Sequence, residues 1–430
     1  MREMKDSGIE WIGEIPKEWK IIHTKRLFNN KKEVAGEEVF HFQRLALTLK
    51  GVVKRSKDDN EGLQPEKFES YQILRKNELV FKLIDLENIK TSRVGLSRYE
   101  GLVSPAYIVL SNNFNDNRYY YYWFISMYYN CVFNILGGQG VRSSLNAREL
   151  LALPIVLNSK PEQQKIANYL DDKCSKIDKI IEKEQVIIEK LKEYKQSLIT
   201  EAVTKGLDTD VEMKDSGVEW IGEIPESWRV TTCGKVIIST QNGLSRRDLE
   251  KSEGTVVLKL KNITQDGKID YSSVNKIMLT EDEIRKYKLQ ERDLLFVRVN
   301  GSKNLVGKCA IYNSNKDIVA YNDHIIRVKI NNDLLDVNFL LLYLNSVAGR
   351  TEIELKTITA AGQYTINGEG LKSMNVCVPD CKMQKLIVSF LYKKCIEIDK
   401  AILNKESLIE KLTEYKKSLI YEVVTGKKEV

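Results

Sequence analysis

The chain has 430 residues, 42% hydrophobic and 30% charged, with a net charge of +7. That length exceeds one core and suits two domains with connectors, and a soluble composition with no apolar run of about 18 residues excludes a transmembrane helix. Seven cysteines with no CxxC spacing, and only His23, His41 and His324 as histidines, point away from a disulfide framework and from zinc.

Read from its start, the chain opens on Met4–Trp19, MKDSGIEWIGEIPKEW, without the apolar core of a signal peptide; a cytoplasmic location is expected. A mixed α/β body follows. Strands are expected at 78–84 and 102–110 and a helix at 117–129. Its polar, basic loops lie at 50–57, 82–98 and 137–142. From Pro161, where a first helical turn accepts proline, a long amphipathic helix is expected. One heptad row holds Leu170, Ile177, Glu184, Leu191 and Leu198; the other contains Cys174, Ile181 and Ile188. These are the a and d positions of a coiled coil, and Ile180, Ile187 and Tyr194 widen the apolar stripe. Gly206 is placed to end the helix, and 207–212 is a short linker.

The pattern then repeats. Met213–Trp228 reads MKDSGVEWIGEIPESW, identical to the first head at 13 of 16 positions with an offset of 213 − 4 = 209. A second body follows, with strands expected at 255–260, 293–299 and 324–330 and a helix at 337–346. Its basic loops lie at 240–247, 259–262, 298–303 and 362–364. The closing helix carries Leu391, Ile398, Lys405, Leu412 and Leu419 in one row, with Ile402 and Ile409 in the other, widened by Ala401, Leu408 and Tyr415. Ile409–Thr425 matches Ile188–Thr204 at 13 of 17 positions with an offset of 409 − 188 = 221, and Gly426 follows as Gly206 does. The second body is therefore 221 − 209 = 12 residues longer than the first, and the two bodies share little that aligns. A frame kept constant around a changed payload suggests two similar modules that read two different things.

The catalytic signals are missing. All seven prolines are isolated, so the paired-proline loop of an adenine methyltransferase is absent. No glycine-rich loop suits S-adenosylmethionine. The stretch Gly301–Cys309 has one residue too many between its glycines and a cysteine where a P-loop needs Ser or Thr. The chain is expected to catalyse nothing by itself. What it does carry is Arg, Asn and Gln, which suit base edges, and Lys, which suits phosphates. The candidates are Lys54, Arg55, Lys57, Asn88, Lys90, Arg93, Gln139 and Arg142 in the first body. In the second they are Gln241, Asn242, Arg246, Arg247, Lys261, Asn262, Arg298, Asn300, Lys303, Gln363 and Tyr364. The head tryptophans Trp11, Trp19, Trp220 and Trp228 are read as anchors in a core or against the helices, with a partner surface as the alternative.

The DSG-x-EWIG-x-IP-x-x-W heads, the PEQQKIANYLD entry at Pro161–Asp171 and the IEKL-x-EY-x-x-SLI-x-E-x-V tails resemble the specificity subunits of type I restriction–modification enzymes over the whole chain. The second tail departs from the pattern at its start, where only Gln384 matches Gln163. The resemblance implies an α+β chain. Two globular α/β target recognition domains (1–160 and 213–381) would be separated by a pair of long antiparallel coiled-coil helices (161–206 and 382–426), in an internal pseudo-twofold repeat. Such an axis would bring Glu184 to Lys405. It implies a non-catalytic subunit that reads a split site in double-stranded DNA, asymmetric because the bodies differ. Two methyltransferase subunits and restriction–translocase subunits would join it and use S-adenosylmethionine, ATP and magnesium; no cofactor, metal or membrane belongs to this chain. A coiled-coil scaffold that binds no DNA is the alternative that composition leaves open.

Overall fold

A computed structural model describes residues 2–57, 68–86, 92–114, 116–136, 144–246, 253–264, 266–314, 318–360 and 362–430. The chain forms two compact units, one of residues 1–184 and 406–430 and one of residues 185–405. The division cuts through both long helices, Lys160–Lys205 and Cys381–Val424, not at the body–helix junctions expected from the sequence. The reason is that each body buries the near end of one long helix and the far end of the other. Glu184 and Lys405 thus close the shares of their helices that belong to the first and second unit respectively.

In the first unit the head is a hairpin, Met4–Asp6 antiparallel to Glu14–Pro16. The DSG sequence makes its turn: the Asp6 carboxylate accepts the Gly8 N–H at 3.0 Å, and Gly8 sits at φ +70°, where a side chain would be strained. Lys20–His23 then pairs with Pro154–Leu157, so the body begins and ends on one small sheet beside the start of the long helix. Between them lie a four-stranded sheet, 51–55, 44–48, 101–103 and 72–74 in spatial order, and a three-stranded one, 108–110, 79–81 and 94–96. The strand expected at 102–110 is two, Gly101–Val103 and Ile108–Leu110; Pro105, which cannot donate to a ladder, lies in the turn between them. The expected aromatic helix forms at Arg118–Tyr129, burying Tyr119, Tyr120, Trp123 and Phe124. It is clamped to the first long helix, with Arg118 2.6 Å and the Tyr122 hydroxyl 2.7 Å from the Asp171 carboxylate.

The core of this unit takes Ile166, Leu170, Cys174 and Ile177 from the first long helix and Leu419, Ile420, Val423 and Val424 from the second. Ile166 and Val423 line one cavity, and further along Lys416 pairs with Asp178 at 2.7 Å. The two segments therefore run antiparallel here. Ile181, Ile409 and Leu412 are half-buried along the same seam.

The second unit repeats these devices. Met213–Asp215 pairs with Glu223–Pro225 in the same register as the first head, and Arg229–Thr232 pairs with Asn375–Val378. Its main sheet has the order 237–242, 325–330, 293–297 and 309–312. The expected helix forms at Val337–Asn345, its N-terminal N–H groups accepted by the Asp336 carboxylate. Ile199, Ala202 and Val203 share the core with Ile387 and Leu391, and Ile188, Ile398 and Ile402 are buried while Leu191 and Leu198 are half-buried. Lys195 pairs with Asp399 at 2.7 Å. The two ion pairs are the same pair by repeat: 195 + 221 = 416 and 178 + 221 = 399.

The two helix starts explain the surviving glutamine. Gln163 donates its amide to the Asn158 carbonyl at 3.1 Å, and Gln384 donates to Pro379 at 2.9 Å. Both tie the helix back to the residue just past the last strand, five positions upstream. The Asp380 carboxylate also accepts the N–H groups of Lys382 and Met383 at 2.9 Å, so the second helix starts cleanly without the proline of the first.

The heads dock on the helix ends of the opposite half. Pro16 and Trp19 press on Gly426 in the first unit, and Pro225 and Trp228 press on Gly206 in the second. Trp19 and Trp228 are buried, which is the anchoring reading of the heads. The widening positions on the helices do not join the seams: Ile180, Leu408 and Tyr415 in the first unit and Ile187 and Tyr194 in the second are exposed. All seven cysteines are free thiols, and burial pushes those of Cys233, Cys309 and Cys377 up to about 12. Among the described residues no helix is long and apolar enough to cross a membrane, and no group of three His, Cys, Asp or Glu side chains could hold a metal ion.

Candidate nucleic-acid interface

Asn88, Lys90, Gln139, Arg142 and Arg247 lie outside the described residues. The other candidates fall into three settings.

In the first body, Lys54 and Arg55 lie on the hairpin Arg44–Thr48/Gly51–Arg55, whose outer strand ends its four-stranded sheet. Lys54 is exposed and sits 4.8 Å from the Tyr99 ring centre, a cation–π contact that Tyr99 gave no sequence signal for. Lys57, just past the strand, donates to the Val39 carbonyl at 2.6 Å. Arg93 is different: it is buried. Its guanidinium donates to the carbonyls of Ile84 (3.2 Å) and Asp85, and Asp85 is held at φ +53°. Desolvation draws the pKa of Arg93 down, as it does that of neighbouring Lys82. Arg93 thus spends its guanidinium on backbone carbonyls inside its own body.

In the second body, Gln241 is tied down by an accepted bond from Arg327, its cross-strand partner, and by donating to the Lys286 carbonyl at 3.3 Å. Asn242, one residue on, is exposed. Arg246 pairs with Glu283 at 2.9 Å, and Lys261 reaches Ser273 at 2.9 Å. Asn262 is buried and knits its own loop, donating to the carbonyls of Asp270 and Ser273 at 2.9 and 3.0 Å. It too is internal, because a loop that doubles back needs its carbonyls satisfied.

The remaining candidates are brought together on one small sheet. Val299–Asn300, Gln363–Thr365 and Ile358–Ala360 form three antiparallel strands, with Asn300 and Thr359 both opposite Tyr364. Tyr364 leans on the core of the unit, so by strand alternation Gln363 faces the other way, and it is exposed. Arg298, which leads into this sheet, donates to the Asp323 carbonyl at 3.1 Å; Asn300 accepts the Ser302 N–H at 3.0 Å; Lys303 lies 3.6 Å from Glu354. Gly301 and Gly362, in the flanking turns, have open space around them.

This sheet is bolted to the head by a residue that sequence reasoning missed. Glu352 is buried on the helix Val347–Lys356, which runs straight into the strand Ile358–Ala360. Its carboxylate accepts the Trp220 indole N–H at 3.0 Å and the Asn375 amide at 2.9 Å. A lone glutamate in a helical stretch carries no pattern that marks it as buried.

The family described as the type I restriction modification DNA specificity domain matches residues 12–193 and 247–406. The chain is 29% identical over 324 residues to the StySPI specificity subunit of Salmonella potsdam, covering 74% of this chain and 65% of that one. It is 25% identical over 304 residues to the EcoKI specificity subunit of Escherichia coli K12, covering 67% and 61%. The chain thus spans a little under two thirds of the length of these relatives. Its fold is that of a chain in a solved type I restriction–modification system studied for complex assembly and conformational transition, with a TM-score of 0.69, 12% identity and coverage of 95% and 98%. With the match extending over both halves of a repeated frame, this chain belongs to the type I restriction modification DNA specificity family.

Proposed function

We propose that this chain is the DNA-reading subunit of a type I restriction–modification complex, recognising an asymmetric, bipartite site in double-stranded DNA with one body per half-site. The carrying observation is a constant frame around unlike surfaces. Head hairpin, strand-to-helix glutamine, interhelical ion pair and terminal glycine recur in both units. The exposed polar side chains they present do not: a basic hairpin at Lys54 in one, an amide-bearing sheet at Gln363 in the other. Like readers would suit a palindrome; unlike readers suit unlike half-sites.

In this reading catalysis belongs to partner subunits, which use S-adenosylmethionine, ATP and magnesium, and this chain holds none of them. The exposed side chains Ile180, Leu408 and Tyr415 in the first unit correspond by repeat to Ala401, Ile187 and Tyr194 in the second. Equivalent apolar positions in each unit support two copies of one methyltransferase subunit, joined by restriction–translocase subunits. Co-expression with a methyltransferase subunit and profiling of methylated DNA tests the proposal. A split, asymmetric motif modified only when both chains are present is expected. Methyl transfer by this chain alone, or modification of no defined motif, would overturn it.

A further inference from the structure

The small sheet of the second unit has an outer face with its own chemistry. Val299, Thr365 and Ile358 lie opposite one another across the three strands, so their side chains share a face, and Gln363 joins it two residues along its strand. Ile358 is 57% exposed, a β-branched apolar side chain held in water on an edge strand. The Gln363 side-chain amide has no hydrogen-bond partner among the described residues. Neither feature serves the core, which the opposite face meets through Tyr364. Both flanking turns leave room for a bulky partner, since a Cβ at Gly301 or Gly362 would meet nothing within 4 Å. Lys303 stands exposed beside the sheet, 3.6 Å from Glu354.

Ile358 lies opposite Thr365 on the neighbouring strand, so it and Gln363 are diagonal cross-strand neighbours about 7–8 Å apart, and an amide and an apolar group at that spacing match an adenine·thymine pair. Adenine offers N6 and N7 to a glutamine amide in the major groove, and thymine of the same pair offers its methyl group. Guanine and cytosine offer no methyl, and the degenerate minor groove offers neither pattern. A β-ribbon is narrow enough to enter the major groove.

We infer that Gln363 and Ile358 are specificity-determining residues that read an adenine·thymine pair in the half-site of the second body, Gln363 on the adenine edge and Ile358 on the thymine methyl. This rests on the DNA-reading function proposed above. It also separates accessible from supporting candidates: Tyr364 and Asn300 are the inner face of the reader, not its contact surface.

The test uses the complete complex with its methyltransferase subunit on its own methylation motif. Each thymine of the second half-site is replaced in turn by deoxyuridine, which removes only the methyl group. At one position methylation should slow about three- to fivefold, the worth of one buried methyl. Ile358→Ala should abolish that sensitivity at the same position. Gln363→Ala should cut the preference for that adenine·thymine pair over guanine·cytosine by about tenfold or more. Both side chains are exposed, and an unaltered order of preference among substitutions in the first half-site checks that the variants fold and assemble. A second half-site without any adenine·thymine pair, or deoxyuridine tolerated at every position by an active complex, would overturn the inference and leave DNA reading intact. A complex that modifies no defined motif would overturn both.

Discussion

Trp19 closes over Gly426: a Cβ at position 426 would lie 2.9 Å from the indole ring and 2.5 Å from Pro16, and Gly426 sits at φ +73°. The same contact in the second unit, Trp228 on Gly206, is looser, with the nearest indole atom 3.3 Å from a Cβ. Gly426→Ala should therefore carry both a left-handed backbone cost and a clash, about 2–4 kcal/mol. Gly206→Ala should carry chiefly the backbone cost, about 1–2 kcal/mol. Chemical denaturation of the two variants measures the difference; equal losses would show that head packing does not discriminate them.

The repeated ion pairs set register more than stability. Asp178 and Asp399 are half-exposed beside Lys416 and Lys195, so each pair is worth about 0.2–1 kcal/mol. Lys416→Asp, which places two carboxylates side by side, should lower stability by about 1 kcal/mol, and adding Asp178→Lys should restore it. A double variant no better than the single one would mean that the two side chains do not meet in solution.

Stability of the first unit should fall in acid through a specific group. Arg118 donates to Asp116 and links it to Asp171 on the first long helix, and that hydrogen bond holds the Asp116 pKa below its usual value. A carboxylate with a lowered folded pKa contributes stability that is present above its unfolded pKa, about 3.9, and is lost as pH falls through the folded value. Melting temperature should drop below about pH 4, and Asp116→Asn should lower stability at neutral pH while flattening that part of the acid limb. An Asn variant with an unchanged acid limb would place the titration elsewhere.

Arg93→Met should act on one half-site only. It would remove the guanidinium donor from the carbonyls of Ile84 and Asp85, at a cost of about 1–3 kcal/mol. Binding to duplexes altered in either half-site measures this; weakened discrimination at both would contradict independent bodies.

Much of the frame was legible because it is written twice. Heptad rows, helix-stopping glycines and the lone matching glutamine all mark places where two copies solve one packing problem. The division inside the long helices was not legible, since no residue pattern states which end of a helix a distant head will cover. Trp19 on Gly426 is a contact between segments near opposite ends of the chain. The candidate readers were legible only as residue types. Arg93 and Asn262 share their chemistry with accessible readers, and only the fold turns them inward to satisfy loop carbonyls. Tyr364 and Gln363 are neighbours in sequence, yet strand alternation sends one to the core and the other to the surface.

The central claim is that two independent readers are mounted on one constant frame. Replacing residues 20–159 with the corresponding body of a relative, and then profiling the motif methylated by the assembled complex, tests it most directly. The account predicts that one half-site changes to that of the donor while the other half-site, read by the second body, stays as it was. A swap that folds and modifies DNA but changes both half-sites would contradict it.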